Sequence, residues 1–361
     1  MPLDNGVLGS LPLLSLAAGL AGGGVVTRLT IPIARARGVL DLPGKLKSHN
    51  QPTPRLGGVG IVIGTILGVL LTTSAGPATA AFLVGGLLVA LTGMVDDIRG
   101  LAPGLKLAGV VVGALSFLLL AWPGLAPRAL SLTSQLLAFA GLTLTICYLV
   151  NSFNLLDGMD GLAAGVAAIA GAFLSVLAYL QASQELVTLA WSLGGACLGF
   201  LLLNLPPART FMGDVGSLFL GFAVSSIAVE LNCRLPLSIP RLVGTGLILA
   251  VPIADTLFSI LRRLATRHDV FSGDRLHLYD TIFHRTESVW RTLPAVWGLS
   301  AVLGLLGIVA SLVSPIMSLA IGAAGGLGLL FLGASLGSLV LPRARGLDRL
   351  SESTHVRQGE G

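Results

Sequence analysis

Apolar residues run along this chain in long blocks rather than in amphipathic stripes. Eleven windows are long and apolar enough to cross a hydrocarbon layer as helices. They fall at roughly 7–27, 57–75, 77–95, 104–122, 130–150, 161–180, 186–205, 215–231, 241–261, 293–313 and 317–341. Only Ala75-Gly76-Pro77 divides the second window from the third. Eleven crossings put the two ends of the chain on opposite sides. Lys and Arg test that count, because they collect in the cytoplasmic connections of membrane proteins. With the C-terminal end in the cytoplasm and the N-terminal end outside, only Arg128, Arg234 and Arg241 of the 22 basic residues fall outside. The carboxylates, which that rule does not govern, follow the same division: of 17, only Asp4, Glu185 and Glu230 lie outside. One face of the expected bundle therefore carries nearly all the ionisable chemistry. No Lys or Arg precedes Arg28, so the first window reads as a permanent helix rather than a cleaved signal peptide.

Composition narrows the class further. The chain is 54% hydrophobic and 11% charged, where soluble domains carry about 25% charged residues, and its mean hydropathy is +0.89. The expected fold is an all-α polytopic integral membrane protein of about eleven transmembrane helices. Residues 1–341 read as one membrane domain and 342–361 as a polar, basic, disordered tail. The 48 glycines suit close helix packing in lipid. Cys147, Cys197 and Cys233 have neither metal-ligand nor disulfide spacing and read as small buried hydrophobes. No nucleic-acid motif is present, so the partners expected are lipids and a small ligand.

The most unusual connection is Asn151 to Gly165, Asn-Ser-Phe-Asn-Leu-Leu-Asp-Gly-Met-Asp-Gly-Leu-Ala-Ala-Gly. A plain turn needs a few small polar residues, whereas this one holds two amides, two carboxylates and two glycines within eleven positions. Asn151, Asn154 and Asp157 fall at i, i+3 and i+6 and could share a helix face. Four more segments join it on the cytoplasmic side. Arg35 to Arg55 includes Lys45, Lys47, His49 and Arg55, a positive set suited to phosphates. Asp96-Asp97 ends a helix, and adjacent carboxylates call for a cation or basic partner, for which Lys106 is placed. Asp214 stands between Gly213 and Gly216 at a helix start, either approaching a ligand or capping the helix. The loop from Arg262 to Arg291 is the only sizeable one and includes Arg275, His277, Asp280 and His284. Asp255 lies about two turns inside the preceding window, where a carboxylate is functional by default unless it pairs with a neighbouring helix.

Acid pairs, amides and lysines on one membrane face suit metal-assisted phosphoryl transfer, in which positioning and charge neutralisation dominate. No Gly-rich loop followed by Lys-Ser or Lys-Thr offers a soluble nucleotide fold. The other class weighed is a cation transporter, which needs acids near mid-membrane and broken helices in repeated halves; only Asp255 lies deep.

Four segments together resemble the polyprenyl-phosphate N-acetylhexosamine-1-phosphate transferase family: Asp96-Asp97, Asn151-x-x-Asn154-x-x-Asp157-Gly-x-Asp160-Gly161, Phe211-Met-Gly-Asp214-x-Gly-Ser217 and Pro52-Thr-Pro-Arg55-x-Gly-Gly58. The likeness spans roughly 35 to 290, in the family's order. It implies transfer of a sugar-1-phosphate from a UDP-sugar to polyprenyl phosphate with release of UMP, in a cytoplasmic-face cleft of a bacterial inner-membrane protein, with homodimerisation open. It also implies Mg²⁺, or Mn²⁺ in its place, held by Asp214. The catalytic residues implied are Asp96, Asp97 and Asp157, one of the Asp96-Asp97 pair taking the residual proton of the lipid phosphate. The substrate-binding residues implied are Lys47, Arg55, Lys106, Asn151, Asn154, Asp160, Asn204, Arg275 and His277. The chain departs from the family at Gly100, where a third Asp is common, and at His277-Leu-Tyr279-Asp280, where His-x-His-His is common. A His-Leu-Tyr ending resembles the branch acting on N-acetylglucosamine or related amino sugars.

Overall fold

The computed structural model describes residues 5–43, 51–72, 76–125, 131–266 and 276–339. Lys45, Lys47, His49, Arg275 and the tail at 342–361 lie outside them. The described chain forms α1 (Asn5–Arg37), a two-residue antiparallel ladder of β1 (Leu40–Asp41) and β2 (Thr53–Pro54), α2 (Gly58–Thr72), α3 (Pro77–Arg99), α4 (Pro103–Leu125), α5 (Leu132–Leu156), α6 (Leu162–Leu180), α7 (Gln184–Asn204), α8 (Gly213–Cys233), α9 (Ile239–Ile248), α10 (Ala250–Ala265), α11 (Leu278–Thr286), α12 (Val289–Leu312) and α13 (Pro315–Leu336). Among the described residues nine of these helices are long and apolar enough to cross a membrane. The protein is an all-α polytopic membrane protein.

The remaining apolar windows differ from simple spans. The window expected at 241–261 is broken: α9 and α10 meet at Leu249 with a bend of 74°. Pro252 supplies the reason, since its ring lacks an N–H and collides with the carbonyl one turn back. The window expected at 57–75 is a helix of 15 described residues. α1 runs well past the expected end at 27, because Arg28, Arg35 and Arg37 are good helix formers that do not stop it.

α8 is the central helix, with 94% of its apolar window buried. α2, α3, α5 and α6 pack around it, and α1 lies against α2 and α7. Phe82, Phe117, Phe219 and Phe222 knit α3, α4 and α8 together, with ring centroids 5.7–6.2 Å apart. The outward faces stay apolar, as at Leu119, Leu137, Leu202 and Phe331, which suits a hydrocarbon solvent. At one end, Arg234 bridges Glu185 and Glu230, and Thr79 donates to Glu185, tying α3, α7 and α8. The other end collects the C-terminus of α3, the N-terminus of α4, the C-terminus of α5 and the N-terminus of α8.

Candidate active site

At that second end Asp96, Asp97, Arg55, Lys106, Asn154 and Asp214 form one polar network. Lys106, on the first turn of α4, places its ammonium between Asp214, Asp96 at 3.2 Å and the Asn154 carbonyl at 3.2 Å. Asn154 donates its amide to Asp214 and to the Ser217 hydroxyl, each at 2.9 Å. Arg55 follows β2 and reaches Asp97 at 3.2 Å, Asp41 at 3.9 Å and Asp214 at 4.0 Å. Three helices and one strand thus converge on Asp214.

Asp97 has a distinct place. Its side chain is 0% exposed. Its two oxygens accept the N–H groups of Asp214 and Val215, both at 2.9 Å. These are first-turn donors of α8, which helices leave without intrahelical partners. Asp97 therefore caps α8 across the bundle, and the positive end of the helix favours its charge. Gly213 makes this approach feasible: its φ is +68°, and a Cβ there would lie 2.5 Å from the Asp97 carboxylate. Both Asp97 oxygens are engaged by α8, so the residue expected to be catalytic also holds the first turn that carries Asp214. Asp96 has its Oδ1 on the Leu101 N–H at 2.6 Å and its Oδ2 on Lys106. Gly100, where a third acid is common in relatives, ends α3 with a φ of 67°.

Asp157 is the half-buried C-cap of α5, and its carboxylate accepts no hydrogen bond from the described residues. Burial first, then the charges of Asp214 and Asp97, hold its carboxyl well above the ordinary carboxylate range. Asn151 sits about 60° around α5 from Asn154 and one turn deeper. It is exposed and makes no hydrogen bond among the described residues, so the network does not include it.

Two other expected site residues, Asn204 and His277, are buried and bonded to neighbouring segments, and Asp160 both meets the backbone and lines the cavity. Asn204 is 4% exposed and uses both ends of its amide on backbone, accepting from Gly161 at 2.8 Å and donating to Thr210 at 2.9 Å. It latches the loop after α7 to the start of α6 and so shapes the site. His277 is also 4% exposed; its Nδ1 lies 2.8 Å from Asp255 and 3.2 Å from Ser259. The second Asp255 oxygen accepts the Leu278 N–H at 2.6 Å, capping α11, so the deep carboxylate serves an inter-element pair. The His277 ring stacks on Tyr279, whose hydroxyl abuts Gly158. Asp160 accepts the Ala208 N–H at 3.0 Å.

Beside the network lies a cavity of about 920 Å³, whose lining includes Arg35, Pro54, Gly158, Asp160, Phe211 and Asp280. Pro54 and Gly158 adjoin Arg55 and Asp157 in the chain. Sequence reading singled out neither Trp290 nor the meeting of Arg35 and Asp280 in one cavity, since nothing in their spacing relates α1, α11 and α12 to the Asp157 loop. Among the described residues no three His, Cys, Asp or Glu side chains group tightly enough to hold a metal by themselves.

A sequence profile of glycosyl transferase family 4 matches residues 79–232, which carry most of this network. The chain is 33% identical over 269 residues to the undecaprenyl-phosphate N-acetylglucosaminyl 1-phosphate transferase assigned in Bacillus subtilis (strain 168), covering 71% of this chain and 72% of that protein. The chain belongs to glycosyl transferase family 4. It is also 32% identical to a decaprenyl-phosphate N-acetylglucosaminephosphotransferase of Mycolicibacterium smegmatis, over 72% of each chain. A phospho-N-acetylmuramoyl-pentapeptide-transferase of Moorella thermoacetica is 33% identical, over 71% of this chain and 83% of that one. Family membership places the Asp96–Asp214 network within the matched region, whereas Arg55, β2, α10 and α11 fall outside it.

Proposed function

We propose that this glycosyl transferase family 4 member transfers an N-acetylhexosamine-1-phosphate from a UDP-sugar to polyprenyl phosphate and releases UMP. The donor is UDP-N-acetylglucosamine or the UDP derivative of a related N-acetylated amino sugar. The reaction takes place in a cleft at the cytoplasmic face of a bacterial cytoplasmic membrane, with α2 and the broken α9–α10 pair completing eleven crossings. The observation that carries this reading is the network of acids, Lys106 and Arg55 around Asp214, set beside a cavity large enough for a nucleoside.

The residues fit a divalent cation of the magnesium type. Mg²⁺ takes one or two carboxylates and fills its shell with water and phosphate oxygens, so a three-ligand protein cluster is not required. Asp214 with Asp96 would hold it, at the place where Lys106 now balances both charges; Mn²⁺ would suit the same oxygens. When bound, the metal supplies charge neutralisation on the diphosphate.

This chain's own residues account for the remainder. Phe211 and Asp160 offer a flat face and an acceptor for a base in the cavity. Lys106 and Arg55 exchange their carboxylates for phosphate oxygens as the donor arrives, so positive charge is already in place where negative charge develops. Asn154 holds Asp214 in one orientation. The lipid phosphate oxygen attacks the β-phosphorus of the donor, the diphosphate bond breaks and UMP leaves. A phosphate monoester has a second pKa of about 6, so much of it arrives fully ionised. Asp157, whose carboxyl is held well above the ordinary range, keeps its own proton and can donate it in a hydrogen bond to the lipid phosphate, so the attack runs through the fully ionised form.

The test is UMP release by the purified protein with Mg²⁺ and undecaprenyl phosphate over a panel of UDP-N-acetyl sugars, with Asp214→Asn alongside. Release with one sugar, lost in the variant, is expected. No release with any sugar from folded protein would sink the reading, and sugar-independent cation uptake into vesicles would favour the transporter.

A further inference from the structure

A second cavity, of about 430 Å³, opens on the outer surface between α1 and α7. Its walls are apolar and built from small residues, Ala21 and Gly24 on α1 and Gly199 on α7, with Leu202, 70% exposed, at its rim. Two guanidiniums stand at its head, Arg28 from α1 and Arg209 from the loop after α7. Both side chains are exposed, and among the described residues neither makes an ion pair or a side-chain hydrogen bond. Their depth is set by neighbours. Thr27 donates to the Gly57 carbonyl at 3.1 Å, and the Gly57 N–H donates to Phe211 at 2.9 Å. Arg28 is therefore level with the start of α2 and the loop before α8, where the chain leaves the apolar bundle. An apolar slot ending in two uncompensated cations at the membrane boundary matches one kind of molecule, a lipid with an anionic headgroup.

We infer that the α1–α7 groove binds one anionic phospholipid of the surrounding leaflet, its phosphodiester between Arg28 and Arg209 and one acyl chain against Ala21, Gly24 and Gly199. A second copy of this chain is a poor occupant. α7 carries its one acid, Glu185, at the opposite end and already bound to Arg234, so pairing two such faces would bring arginines against arginines. The reacting lipid phosphate is a poor occupant as well, because Asp96, Asp157 and Asp214 do not line this groove. Arg209 also lines the larger cavity, so the bound headgroup contacts a residue shared with the candidate active site. Ordinary arginine snorkelling needs no slot, and that difference can be tested.

The experiment is native mass spectrometry of the delipidated full-length protein, offered equal phosphatidylglycerol and phosphatidylcholine with identical acyl chains. It reads binding alone, so its outcome stands apart from whether UMP is released. One phosphatidylglycerol per chain is expected to be retained in preference to phosphatidylcholine, and to be lost in Arg28→Gln. It is also expected to be lost in Ala21→Leu, which fills the groove and keeps both charges. If Ala21→Leu does not accumulate as folded protein, Leu202→Trp on the exposed rim serves the same purpose. Retention in the filled groove alongside loss in Arg28→Gln would reduce the site to surface charge and overturn the inference. Equal retention of the two phospholipids would overturn it too. One-for-one displacement by undecaprenyl phosphate would assign the groove to the acceptor instead.

Discussion

Replacing Asp97 separates an anchoring role from a catalytic one. In Asp97→Ala the first-turn N–H groups of Asp214 and Val215 lose their acceptor in a place where the replaced side chain was 0% exposed. A buried donor left without a partner costs about 1–3 kcal/mol, and a hydrogen bond to a charged group contributes about 1.5–3 kcal/mol. Arg55 loses its 3.2 Å partner as well, but its side chain is 35% exposed and regains water, so that ion pair adds little. The expected loss is about 3–4 kcal/mol for Ala. Asp97→Asn keeps one acceptor oxygen and turns an NH₂ toward the other donor, for about 2 kcal/mol. Thermal midpoints in detergent should therefore fall in the order parent, Asn, Ala, with a drop of at least ~5 °C for Ala. UMP release should fall in the same order, since α8 carries Asp214. A proton acceptor gives a different pattern: Asn and Ala would lose activity alike, by about 10²-fold or more, with midpoints at the parent value. That pattern would refute the capping argument.

Gly158→Ala places a Cβ 1.9 Å from the Tyr279 hydroxyl, so activity should collapse; adding Tyr279→Ala should restore a measurable part, and a double variant no better than the single would count against the contact. Asp157 binds a proton in the folded protein that the unfolded chain has already released, so the stability it contributes is present at acid pH and lost as pH rises through its raised pKa. Asp157→Asn in metal-free buffer should thus exceed the parent's thermal midpoint above neutral pH and converge with it near about pH 4, and parallel curves would sink this reasoning. Lys106→Met leaves Asp96 and Asp214 without their shared cation, so calorimetry should show Mg²⁺ binding at least ~5-fold more tightly while UMP release falls; weaker Mg²⁺ binding would contradict the placement of Lys106.

The membrane class, the long helices and the gathering of acids at one end follow from the chain alone. Apolar windows surrounded by hydrocarbon must satisfy their own backbone as helices, and nearly all the charges sit where those helices end. The meeting of residues at that end was legible too, because Asp96, Asn154 and Asp214 belong to segments whose residue types mean little apart and much together. The duties of the individual polar atoms were not legible. Asp97 meets its two donors 117 and 118 positions away, Asn204 latches a glycine 43 positions back, and Asp255 spends both oxygens on His277 and Leu278. A carboxylate that caps a buried helix and one that keeps its proton look identical in a sequence. Which oxygens stay free depends on the helix that arrives beside them, and only the packed bundle brings α8 to Asp97 while leaving Asp157 without a donor among the described residues.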